Sequence, residues 1–305
     1  MRRISLLLGI GICFALLAGL APRPAAGWEE DRLFNLRYFN VPRADFREEE
    51  GEIGMDVVRA EALLPIGLSD SAFLLTGLVY NGLYLNYRGL SFVEPTPDGD
   101  FTERDLPKNL HVVDIVLGGG VSWDERWGTV LVLYPGVHSD FDDVSGKDIY
   151  FSGAVLATYQ VSDDLTFSAG AYYDDSFGYP QLLPMLGAQW RIGETLTLEA
   201  FLPQFLVLAW QFDPRLAAGL KCSVEGSQYR LREGHPWKNT VVEYSQILAG
   251  PFVDINLAGD LFLRLEGGFV SSREFEFRDD DSNDKLFDGD VEDTGYAGLS
   301  LSCRY

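Results

Sequence analysis

The feature that most constrains this chain is a side-chain period of two, repeated over most of its length. In Phe151–Val161 the odd positions are Phe151, Gly153, Val155, Ala157, Tyr159 and Val161, against Ser152, Thr158 and Gln160. Leu261, Leu263, Leu265, Gly267 and Phe269 alternate with Phe262, Arg264, Glu266 and Gly268. Leu186, Ala188, Trp190 and Ile192 oppose Gln189 and Arg191; Leu216, Ala218, Leu220, Cys222 and Val224 oppose Arg215, Lys221 and Glu225. Alternation of this kind gives a strand one apolar and one polar face, and from about Glu52 onward it leaves little room for helix.

A soluble β-sandwich alternates too, so further features are needed. The candidate strands are long: Ser71–Arg88, Thr240–Leu257 and Asp260–Phe277 far exceed the usual five or six residues, whereas a tilted bilayer span needs about 9–11. Connections also alternate in length. Short turns lie at Gly67–Asp70, Asp124–Arg126, Ser162–Asp164, Gly193-Glu194, Asp213-Pro214 and Ala258–Asp260. Longer polar segments lie at Arg88–Lys108, Ser139–Asp148, Asp174–Leu182, Ser227–Lys238 and Arg278–Asp290.

The N-terminus adds an address. Met1-Arg2-Arg3 is followed by the uncharged run Ile4–Leu20, then Ala21-Pro22-Arg23-Pro24 and the small residues Ala25-Ala26-Gly27. That layout predicts a signal peptide over residues 1–27, cleaved after Gly27. Its removal takes away three arginines and no acid, so a chain already at −22 becomes more acidic. Such acidity argues against nucleic acid as a partner, since phosphate binding requires clustered Lys and Arg. No later stretch is apolar enough for a transmembrane helix, but transmembrane strands alternate and escape that test.

Export signal, amphipathic strands, alternating loop lengths and the terminal run Leu299-Ser300-Leu301-Ser302-Cys303-Arg304-Tyr305 together resemble the outer-membrane β-barrel proteins of Gram-negative bacteria. Within that class the sequence looks most like porin-like, uncharacterised families of unknown function. The resemblance implies an all-β fold, an antiparallel transmembrane β-barrel in the cell outer membrane. Outer-membrane lipid and the barrel assembly machinery would be its partners, with Tyr305 as the assembly signal.

The expected organisation is a signal peptide (1–27), an N-terminal segment (28–51) that forms a first strand, a plug or a periplasmic tail, and a barrel domain (52–305). Fourteen candidate strands can be drawn. Merging the hairpin at Pro203-Gln204 and dropping Leu33–Val41 gives twelve, and bacterial single-chain barrels have even counts. Apolar residues change phase from Ile53, Met55, Val57 to Val58, Ala60, Ala62, Leu64, which predicts a β-bulge.

If the apolar face meets lipid, the lumen is lined by Arg59, Glu61, Asp114, Gln189, Arg191, Glu199, Arg215, Lys221, Glu225, Arg264, Glu266 and Arg304, with Tyr172, Phe201 and Phe262 narrowing it. The mixed charges either line a hydrated pore or pair and fill it. Trp123, Trp127, Tyr134, Tyr173, Tyr179, Trp190, Trp210, Phe269 and Tyr305 are candidates for an interfacial aromatic girdle.

Candidate chemistry is sparse. Asp279, Asp281 and Asn283 have the alternating oxygen ligands of a weak calcium loop, but Asp284 stands where the sharp turn requires Gly. His138 precedes Ser139, yet adjacent strand residues face opposite ways, so the pair does not read as nucleophile and base. Gly118-Gly119-Gly120 opens no helix and reads as a close-packed or bent strand. Cys222 and Cys303 fall on the outward face, two strands apart, too far for a disulfide. No catalytic residues and no cofactor are predicted. The leading functional expectation is a passive channel or uptake porin for small solutes. A filled barrel with a structural or surface-binding role and acidic loops is the alternative. A secreted, soluble, carbohydrate-binding β-sandwich is a third.

Overall fold

A computed structural model describes residues 32–90, 92–95, 101–104, 106–142, 144–174, 181–231, 240–282 and 284–304. The strands in chain order are β1 (Arg32–Asp45), β2 (Glu52–Ser69), β3 (Ala72–Arg88), β4 (Phe92–Pro95), β5 (Phe101–Arg104), β6 (Asn109–Ser122), β7 (Trp127–Ser139), β8 (Ile149–Ser162), β9 (Leu165–Asp174), β10 (Gln181–Ile192), β11 (Leu196–Leu202), β12 (Phe205–Asp213), β13 (Leu216–Arg230), β14 (Thr240–Ala258), β15 (Leu261–Asp279), β16 (Lys285–Val291) and β17 (Thr294–Arg304). A single 3-10 turn, Gly146–Asp148, precedes β8. No described helix is long and apolar enough to cross a membrane.

The sheet runs β14-β13-β12-β11-β10-β9-β8-β7-β6-β3-β2-β1-β17-β15 and closes through a β14–β15 pairing. That is a closed barrel of fourteen antiparallel strands, with the β4–β5 hairpin apart and β16 appended to β15. Closure leaves no open edge, which is how a sheet satisfies its backbone in lipid. Both doubtful strands are present. The Pro203-Gln204 hairpin joins β11 to β12, with Phe201 paired to Phe205. Within the segment 28–51, Arg32–Asp45 form β1, which lies between β2 and β17, so a strand is among the described residues of that segment. β4, β5 and β16 lie outside the fourteen and were not anticipated.

One rim carries most of the short turns and both described chain ends; the other carries the longer loops and the short Pro203-Gln204 turn. Outward side chains form the apolar belt: Phe34 and Leu36 on β1, Leu74 and Leu78 on β3, Val155 on β8, Leu186 on β10, Leu206 and Leu208 on β12, Leu265 on β15 and Leu299 on β17 are all exposed. Trp123, Trp127, Trp190 and Trp210 are exposed near the turn rim, where an aromatic girdle belongs. Phe269 is exposed on β15, farther from that rim. Tyr134 does not join them. It is 2% exposed and packs inward, because β7 buries its even positions, Val130, Val132 and Tyr134. Tyr179 and Tyr305 lie outside the described residues.

The strands differ in height, and this shapes the loop rim. β14 and β15 have 19 residues each, β2 18 and β3 17, whereas β11 has 7 and β12 9. Above the short strands β13 and β7 meet in a parallel bridge between Arg230 and Ser139. Phe46 bridges Val291 at the end of β16. A second, narrower ring is thereby closed by β1, β2, β3, β6, β7, β13, β14, β15 and β16, leaving out β8–β12 and with β16 in the place of β17. A ring of that girth is filled by side chains. Phe39, Val41, Ile53, Met55, Leu83, Leu110, Tyr229, Val242, Tyr244, Phe275, Phe277 and Phe287 form its buried core.

This inner core explains the phase change in β2. The strand pairs with β3 without a shift from Glu52 to Gly67, so it contains no bulge there. Ile53, Met55 and Val57 face inward into the mouth core, while Ala62 and Leu64 of the later set face outward. The apolar residues change sides because the interior is apolar at the mouth and charged below it. A real bulge lies in β15, where Ser271 and Glu274 oppose Ile247 and Ser245 and Ser272 has φ 50°. The extra residue reverses the parity. Phe269 points outward, but Arg273, Phe275 and Phe277 are buried.

Candidate functional site

The candidate site is the barrel interior below the mouth core. The neighbouring strands β13, β14, β15, β17, β1 and β2 bring their inward positions together there as one charged wall. Arg264 Nε donates to Asp254 Oδ1 at 2.7 Å and its Nη2 to Oδ2 at 2.9 Å, a fork matching both oxygens. Arg304 Nη2 donates to the same Asp254 Oδ2 at 2.7 Å. Arg37 Nη1 donates to Glu225 Oε1 at 2.6 Å and its Nε to Glu266. Arg59 pairs with Glu61, whose Oε2 also accepts from Asn35 at 3.5 Å. Three guanidinium groups lie over rings as well: Arg37 over Phe39 at 4.5 Å, Arg264 over Phe252 and Arg304 over Phe262, each at 4.2 Å. Cation–π contacts of this kind offset part of the cost of removing charge from water.

The remaining expected residues are distributed as follows. Asp114 is buried on β6, and its Oδ1 accepts from His138 Nε2 at 3.0 Å. A Cβ on Gly136 would lie 1.8 Å from Asp114 Oδ1, so only Gly lets this carboxylate occupy its place. Glu199 is fully buried on β11, opposite Gln189 on β10 and Val207 on β12. Lys221 and Glu225 are half-buried on β13. Two residues fall elsewhere. Arg191 is exposed near the turn rim, where it pairs with Asp164 at 2.6 Å. Arg215 precedes β13, in the turn after Asp213, and is exposed. Arg191 lies at the last turn-side positions of β10, paired with Thr197, whereas Arg215 lies outside a strand. Tyr172 and Phe201 are buried inward. They belong to a second apolar cluster with Leu75, Val132, Met185 and Val207 that lines the wall from β2 to β14.

Sequence reasoning missed Arg37 and Arg273. Arg37 lies on the strand left undecided. Arg273 is turned inward only by the bulge at Ser272, and no residue type announces that. Ser245 and Gln246 at the matching place on β14 are equally unremarkable in the sequence.

The loop candidates have structural roles. Asp279 Oδ1 accepts the backbone N–H groups of Asp281 at 3.0 Å and Ser282 at 2.8 Å, capping the turn into β16. These bonds hold its carboxyl below the ordinary aspartate range. Asn283 lies outside the described residues, and no group of metal-ligating side chains occurs among those described. Ser139 donates to Asp140, while His138 faces Asp114 and stacks at a tilt on Tyr150. Cys222 on β13 and Cys303 on β17 have β14 and β15 between them in the sheet.

A family model described as a domain of unknown function (DUF6268) matches residues 98–301. No match is found among curated proteins. Among solved structures the chain is similar to the Pseudomonas putida toluene transporter TodX, with 14% identity over 98% of this chain and 99% of that one and a TM-score of 0.38. It is similar also to an outer membrane channel from Pseudomonas putida F1, with 11% identity, 94% and 98% coverage and a TM-score of 0.40. A Pseudomonas aeruginosa FadL homologue gives 10% identity, 92% coverage of both chains and a TM-score of 0.40. By the extent of the family match, the chain belongs to the DUF6268 family.

Proposed function

We propose that this DUF6268 member is a non-enzymatic outer-membrane passage for small solutes, exported by its N-terminal signal and shut at its loop rim in the state described. The observation that supports this reading is the retained charge inside the barrel. Arg37, Glu61, Asp254, Arg264, Glu266 and the half-buried Arg304 and Glu225 are enclosed by the wall. A barrel that needed only to be filled would gain from apolar residues there, because buried ion pairs are often no better than packed hydrocarbon. Charges of both signs are useful where water or a polar solute enters. Closure at the rim rests on the β13–β7 seam. Arg230 holds that seam through Asp280, Asp148 at 3.7 Å and the Lys147 carbonyl at 3.2 Å.

The test is conductance in planar bilayers. The native barrel should be closed most of the time, with infrequent openings. Arg230→Ala should raise the open fraction about tenfold, the effect of weakening the seam by about 1.4 kcal/mol. A second reading, a filled barrel with a structural or surface-binding role, is favoured by the completeness of the two apolar clusters. Silence from both native protein and variant would select it.

A further inference from the structure

Arg273 is the largest fully buried side chain among the described residues, at 1% exposure. Its Nη2 donates to the Ile53 carbonyl at 3.4 Å, which is its sole hydrogen bond or ion pair among them. Nε and Nη1 have no acceptor. Every other interior arginine described above has a carboxylate; this one reaches from β15 across to β2 without one. Directly across from Ile53 on β3 is Tyr87, whose hydroxyl is also buried and without a partner. Arg273, through its bond to the Ile53 carbonyl, and Tyr87, through its register with Ile53, thus both neighbour that residue at the edge of the mouth core, where Phe275 and Val291 are also buried. An always-charged guanidinium left unsatisfied in an apolar enclosure is costly. Native structures leave such groups unpaired where something else completes them.

We infer that Arg273 and Tyr87 form an anion-recognition site in the mouth, which takes small carboxylates with an apolar body. The carboxylate would accept from Arg273 and from the Tyr87 hydroxyl, and the apolar body would lie against the mouth core. This rests on the passage reading and deepens it by naming a solute class.

The experiment uses the full refolded barrel in detergent micelles, titrated calorimetrically with benzoate and with the neutral analogue benzyl alcohol. Benzoate should bind saturably, and benzyl alcohol at least about tenfold more weakly, the cost of leaving the charged donors unanswered. Arg273→Met should weaken benzoate about tenfold or more and Tyr87→Phe about threefold, with Arg273→Lys between them, since it keeps charge but loses the planar fork. Heat-modifiable gel mobility verifies folding of each variant. If Arg273→Met does not fold, Arg273→Lys and Tyr87→Phe decide the matter. Absence of benzoate binding, equal binding of benzyl alcohol, or unchanged affinity in the folded variants would overturn the site. Conductance without benzoate binding removes the site and keeps the passage; Arg273-dependent binding with silent bilayers does the reverse.

Discussion

The wide part of the barrel and its narrow mouth bury their residues in different ways. β12, in the wide part, alternates buried and exposed from Phe205 to Trp210, as a wall covered on one side only must. The loop-side end of β14, Thr240–Gln246, has almost every residue buried on both faces. The pairing of β13 with β14 is unbroken, so Gln228 and Arg230 continue the outward face of Leu220 and Cys222. Gln228 nevertheless accepts no solvent role: its Nε2 donates to the Tyr150 hydroxyl of β8 at 3.1 Å. The β13–β14 hairpin has leaned over the shorter strands until its outer face meets the opposite wall. A face that is exposed at one height is therefore interior at another. Side-chain parity alone does not say which solvent a residue sees.

The sharpest way to break this contrast is to make one substitution in each region. Phe275 and Phe201 are nearly equally buried, at 1% and 2%. Phe275→Ala removes a ring from a mouth core that strands enclose on all sides and should cost about 4–5 kcal/mol. Phe201→Ala, in the broader cluster where neighbours can relax, should cost about 3 kcal/mol. Urea unfolding of the refolded barrel measures both, and equal losses would mean the narrow ring packs no more tightly than the wide wall.

A somewhat smaller effect is expected in the charged wall of the wide part. Asp254→Asn leaves Arg264 and Arg304 facing a neutral amide and should destabilise by about 3 kcal/mol, as removal of one member of a buried ion cluster does. Replacing Arg264 by Met in the same chain should recover part of that loss; full additivity in the double-mutant cycle would show that the two side chains do not act together.

The smallest effect belongs outside both regions. Asp124, in the β6–β7 turn, accepts the N–H groups of Arg126 at 2.7 Å and Trp127 at 2.8 Å, which holds its carboxyl below the ordinary value. A depressed folded-state value gives stability that is present at neutral pH and lost as pH falls through it. Asp124→Ala should thus lower the thermal midpoint slightly at neutral pH and not at all in strong acid. A deficit that persisted in acid would assign the turn's stability to something other than the carboxylate.

Most of the wall was legible in the sequence because a period of two is a direct consequence of strand geometry, and Val155, Leu186 and Leu265 obey it. The placement of Asp114, Glu199 and Arg264 inside follows from the same rule. What could not be read was height. The phase change at Val57–Val58 is visible as a pattern, yet it records the boundary between mouth core and charged wall, a tertiary fact. The inward turn of Arg273 depends on one residue, Ser272, adopting a left-handed backbone that its side chain does not signal. Arg215, one residue before β13, marks the other limit, since alternation does not announce where a strand stops.

The bridge between Arg230 and Ser139 has a topological consequence. Because the mouth ring closes without β8–β12, those five strands amount to a single excursion of the chain that departs from β7 and returns at β13. A hairpin added to or removed from that excursion would change the girth of the chamber beneath and leave the entrance as it is. The molecule thereby separates two design variables, the size of its vestibule and the tightness of its neck, and a lineage could tune one without rebuilding the other.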